Sequence, residues 1–134
     1  FEFVRGAASS DAAERERWFR ALQDPAARQR ETWVLDGLKL LNHPLRAEQS
    51  GALIPKSLDT LLEVHRTGAL FFDANWMRDT LRGHSSPKAA AAVSRFIDDL
   101  PTDYPPRMRA LVLQSSDLLM RAARAQAPGD ESGI

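Results

Sequence analysis

Three histidines, His43, His65 and His84, are the side chains around which metal or general acid–base chemistry would have to be built. They are far apart, and no two share an i, i+4 spacing, so a zinc site on one helix face is not encoded. Convergence of the three on a metal in space stays open. Scattered histidines are seldom ligands, so the plainer expectations weigh more. His65 falls on an apolar helical stripe and is expected to pack there with one ring nitrogen hydrogen-bonded. His43 precedes a proline and reads as a turn residue.

Other reactive groupings are missing. The 134 residues contain no cysteine, which excludes thiolate nucleophiles, cysteine-ligated metals and disulfides. There is no H-E-x-x-H, no glycine-rich phosphate loop and no G-x-S-x-G elbow. Asp98 and Asp99 are adjacent, so on a helix they diverge and make no acid–base dyad. Of the 18 basic residues 15 are arginines, a residue suited to bidentate carboxylate recognition. Glu16 with Arg20 and Asp117 with Arg121 are i, i+4 pairs, as on solvated helix faces. Arg46 in HPLRAE and Arg66 in HRTG sit instead at helix junctions beside apolar features. They are the arginines best placed to meet a substrate carboxylate.

The stretch GALFFDANWM, residues 68–77, sets Leu70, Phe71, Phe72, Trp76 and Met77 between a glycine and a new helix. Adjacent residues in an extended link point opposite ways, so Phe71 and Phe72 need not share one environment. At least one is expected to pack beneath the corner. Core is the default for Trp18, Trp33 and Trp76, with a contact role left open for Trp76.

These residues are positioned by helices. Short capping residues, often followed by proline, precede apolar stripes of period 3.6 that end at glycine or proline, and no strand alternation occurs. The pattern predicts helices over 10–22, with Asp11 and Glu14 as a capping box, and over 31–41, which is apolar on almost every side and expected to be buried between neighbours. A short one follows Asp24-Pro25, another covers 45–50, and one with Pro55 in its first turn closes at Gly68. Asp73 is expected to cap the next, Ser86-Pro87 the one after, and a single long helix follows Pro106 with Met108, Leu111, Val112, Leu119 and Ala122 on its buried stripe. The fold class is all-α: an antiparallel helical array, or HEAT-like solenoid, of about seven or eight helices with short connections. Residues 1–9 read as the tail of a preceding helix or a linker, 10–124 as one helical domain and 125–134 as a disordered tail.

Composition bounds the partners. Lys plus Arg equals Asp plus Glu at 18 each, so no net field draws the chain to nucleic acid or an anionic membrane. No apolar run approaches the ~20 residues of a membrane span. The opening FEFVRG lacks the basic-then-apolar order of a signal peptide, and its apolar start without methionine suggests missing upstream sequence. The absence of cysteine suits a reducing compartment, with the cytoplasm slightly favoured.

Four stretches carry a family likeness: RERWFRALQDP (15–25), TWVLDGLKLLNHPLRAEQS (32–50), LLEVHRTGALFFDANWMRDTLRGHSSPKAAAAVSRFI (61–97) and PPRMRALVLQSSDLLMRAA (105–123). Together they resemble the C-terminal helical domain of bacterial zinc aminopeptidases of the aminopeptidase N family. NHPLRAE and R-T-G-x-x-F-F-x-x-x-W are the most specific pieces. The resemblance implies a HEAT-like bowl over a thermolysin-like catalytic domain in the same polypeptide, closing its chamber and limiting which peptides enter. The Zn2+, its H-E-x-x-H and distal glutamate, and the G-x-M-E-N segment that holds the substrate's amino terminus would all lie upstream. No catalytic or metal residue carries over to this chain, which alone is not expected to be an enzyme. Its partners would be that catalytic domain and the peptide substrate. Arg46, Arg66, Phe71, Phe72 and Trp76 are the candidate chamber or interdomain contacts. A free-standing helical-repeat scaffold for protein interaction is the alternative.

Overall fold

The computed structural model describes residues 2–126, and those residues form an all-α array without strands. The α-helices are α1 (Glu2–Ala8), α2 (Ala12–Ala21), α3 (Glu31–Leu41), α4 (Ala47–Ser50), α5 (Ile54–Thr67), α6 (Phe72–Leu81), α7 (Pro87–Asp98), α8 (Pro106–Ser115) and α9 (Asp117–Gln126). Short 3-10 turns cover Pro25–Arg28, Pro44–Arg46 and Gly51–Leu53. In one row α1 packs on α3, α3 on α6 and α6 on α8; in a second, α5 packs on α7 and α7 on α9. α2 packs on α1, and the rows are joined where α5 meets α6 and α8 meets α9. Between them lies one core of Phe19, Leu38, Leu41, Leu58, Leu61, Trp76, Met77, Val93 and Val112, among others.

Local chemistry explains most boundaries. Asp24 accepts from Ala26 N (3.0 Å) and Ser86 Oγ from Ala89 N (3.0 Å), each before a proline whose missing N–H is harmless in a first turn. His43 Nδ1 accepts from Leu45 N (3.1 Å), the turn role expected of it. Asp11 caps α2 through Ala13 N (3.0 Å), but the capping box does not form. Ser9 intervenes: its Oγ receives Asp11 N (3.0 Å) and donates to Glu14 Oε2 (2.9 Å).

The structure differs from expectation in the C-terminal helix, in where the tail begins and around α3. The long C-terminal helix is two, because Ser116 Oγ bonds back to Leu113 O (3.2 Å), a local competitor of the helical ladder, and Asp117 begins a new one. The break turns Ala123 rather than Ala122 fully inward. Ala125 and Gln126 belong to α9, with Gln126 Nε2 donating to Ser85 O (2.9 Å), while 127–134 of the expected tail lie outside the described residues. At the other end Glu2–Ala8 is a packed helix: Ala7 is fully buried, and Trp18 Nε1 donates to Phe3 O (2.7 Å). Finally, α3 is not enclosed on all sides. Val34, Leu38 and Leu41 are buried, whereas Leu40 is exposed and Trp33 half-buried beneath the Arg30 guanidinium, 4.3 Å from the ring centre.

Candidate functional site

The end of α5 and the start of α6 form a tight corner. Gly68 ends α5 with extended backbone, φ −90° and ψ 165°, so it is not the left-handed residue that commonly closes a helix. What the position requires is space. A Cβ there would lie 2.5 Å from Phe72 Cδ2 and 2.7 Å from Val64 O. Without it Phe72 folds back onto α5, 2% exposed, its ring edge-on to Trp76 with centroids 6.1 Å apart. The left-handed conformation falls instead on Phe71, at φ 71° and ψ 0°, where a phenylalanine is strained by about 1–2 kcal/mol. Phe71 is 66% exposed and Leu70 is 83% exposed. One phenylalanine of the pair is therefore core and the other surface, through a left-handed bend rather than an extended link.

Polar contacts fix this corner. Ala69 N donates to Glu31 Oε2 (2.8 Å), tying it to α3. His65 Nδ1 lies 2.9 Å from Asp73 Oδ2, bridging the two helices. His65 is hydrogen-bonded as expected but exposed, because the buried stripe of α5 runs through Leu58, Leu61 and Val64 and leaves it at the edge. Asp73 does not cap α6, which starts one residue earlier at Phe72; its Oδ1 accepts from the adjacent Ala74 N (2.7 Å).

Beside the corner runs a groove of about 570 Å³, walled on its far side by α8. Leu70, Phe71, Met108 and Leu111 supply its apolar lining, with Arg107 and Gln114 across from the His65–Asp73 bridge. An apolar trough with a few polar groups at its edges suits an extended chain or an inserted side chain. It holds no arrangement of nucleophile and base, and among the described residues no three His, Cys, Asp or Glu side chains come together to hold a metal.

Of the five candidate contacts, Phe71 lines the groove. Phe72 and Trp76 are core: Trp76 is fully buried and its Nε1 donates to Ser57 O (3.1 Å), so neither offers a surface to a partner. Arg66 is exposed on the last turn of α5, outside the groove lining. Arg46 is half-buried, and its Nη1 donates to Ala7 O (3.3 Å), where it anchors the end of α1. Sequence reasoning missed Leu70, Arg107 and Gln114, because a pairing between residue 70 and α8 carries no local signal.

The second likeness-bearing stretch, NHPLRAE, builds a different corner. Asn42 Nδ2 donates to Leu38 O (3.0 Å), which turns its Oδ1 toward His84 Nε2 at 2.8 Å. Only the Nε2–H tautomer of a neutral His84 can donate there. Gly83 lies against the Asn42 carbonyl so closely that a Cβ would sit 1.8 Å from that oxygen. His84 is 6% exposed, and burial pushes its imidazole below the ordinary value. No protein-family profile, curated protein sequence or solved structure gives a significant match to this chain.

Proposed function

We propose that this chain is a non-catalytic helical domain of the type that closes the substrate chamber of zinc aminopeptidases, with the Leu70–Phe71 corner and its groove as the contact surface. One observation carries the reading. A strained, left-handed phenylalanine is displayed to solvent beside an exposed leucine on the rim of a 570 Å³ groove. Backbone strain of this kind persists where the surroundings enforce it, and it clusters at functional positions. Two large apolar side chains side by side in water mark an interaction site more often than isolated ones do.

In this reading zinc and the groups that hold the substrate's amino terminus belong to an upstream catalytic domain. The helical domain's part is to exclude bulk water from the chamber and to limit which peptides enter. The in-frame sequence preceding Phe1 tests it: an H-E-x-x-H with a distal glutamate within several hundred residues is expected, and its absence removes the aminopeptidase reading. The paired rows of helices favour a second reading, a free-standing scaffold whose groove seats a partner's peptide segment. That reading survives loss of the first. Robust release of an amino acid from an aminoacyl-anilide by this chain alone would contradict both.

A further inference from the structure

Two arginines are almost wholly buried, and they are treated differently. Arg28, 3% exposed, pairs with Glu63 Oε1 at 2.8 Å. Arg15, 4% exposed, has no carboxylate within ion-pair distance among the described residues. Its Nη1 donates to Ser9 O (2.7 Å) and its Nη2 to Gln49 Oε1, both neutral. A buried cation facing only neutral dipoles is costly, and proteins seldom leave one without a counter-charge.

Arg15 lines a cavity of about 170 Å³ between α2 and the α4 turn. Since a water takes about 30 Å³ in the liquid, the space is ample for a small ion. Leu41 and Leu53 form part of its apolar wall. Ser50, 3% exposed, lines it too, and its Oγ is buried without a hydrogen-bond partner. Gln49 presents its oxygen to Arg15, which leaves the amide Nε2 as its donor end. The lining residues thus include a guanidinium, a side-chain amide and a hydroxyl, Gln49 itself being exposed. The one acidic group in the lining, Glu16, is half-exposed and engaged with Arg20 at 2.6 Å.

We infer that this cavity is a binding site for a small oxyanion of carboxylate or phosphate size, held by Arg15, Gln49 and Ser50. The guanidinium fork supplies the charge and the planar geometry that such anions take. The bound ion supplies the counter-charge that Arg15 lacks and an acceptor for Ser50 Oγ. The site shares no residue with the Leu70–Phe71 groove and stands whether or not the aminopeptidase reading does.

NMR titration of the isotope-labelled chain with acetate and, separately, with phosphate tests this, at ionic strength held constant with chloride. Saturable shifts are expected at the Arg15 Nε–H, the Gln49 side-chain amide and the Ser50 amide for at least one anion. Acetate alone identifies a carboxylate site, and phosphate alone a phosphate site. Arg15→Lys, which keeps the charge but loses the fork, is expected to weaken binding about tenfold. Should that variant fail to fold, Ser50→Ala weakens binding several-fold with the arginine's own contacts intact, and Glu16→Gln tightens it. Shifts that match the chloride control, that grow linearly without saturation, or that persist unchanged in Ser50→Ala would overturn the site.

Discussion

Phe71 is where the energetics of a single residue and its purpose separate. Its left-handed backbone costs about 1–2 kcal/mol relative to glycine, and with 66% of its surface exposed it recovers little by burial. Glycine's extra freedom in the unfolded chain offsets part of this, so Phe71→Gly is expected to stabilise the fold by about 1 kcal/mol, raising Tm by roughly 3–5 °C in a thermal melt. A drop in Tm would mean that the ring supplies packing its exposure does not suggest. Its neighbour was partly legible: the adjacency of two phenylalanines predicts two environments. Which one turns outward depends on Gly68 leaving room for Phe72 on α5, a tertiary fit that local sequence does not carry.

At the scale of elements, boundaries set by caps and prolines were readable, as with the end of α3 before His43-Pro44, Pro55 in the first turn of α5, and the Ser86 cap of α7. Boundaries set by side-chain competition were not, as Ser116 shows by dividing α8 from α9. The corner joining the ends of α3 and α6 makes a pH prediction. Burial holds His84 below its ordinary value of 6.5 while its Nε2–H donates to Asn42. The unfolded chain therefore takes up a proton at higher pH than the folded chain does. The contribution of this corner is full above pH 6.5 and is lost progressively as pH falls through the folded-state value. Melting curves between pH 8 and pH 5 are expected to show a fall in Tm that His84→Gln lacks. An identical pH profile in the two proteins would remove His84 as its source.

For the whole molecule, the all-α array followed from helical periodicity and short connections, and two rows of helices around one core realise it. The groove was not legible, because it is made by residues about forty positions apart, the 65–73 corner and α8. The central claim is that the corner faces a peptide or a catalytic partner rather than merely closing the fold. Its most direct test is Phe71→Ala in the aminopeptidase polypeptide that the proposed function calls for, a substitution that keeps a Cβ in the left-handed position and removes only the exposed ring. An unchanged Tm with a several-fold change in kcat/KM for long peptides relative to an aminoacyl-anilide is expected. A fall in Tm with that ratio of kcat/KM values unchanged would contradict the claim and leave Phe71 as packing alone.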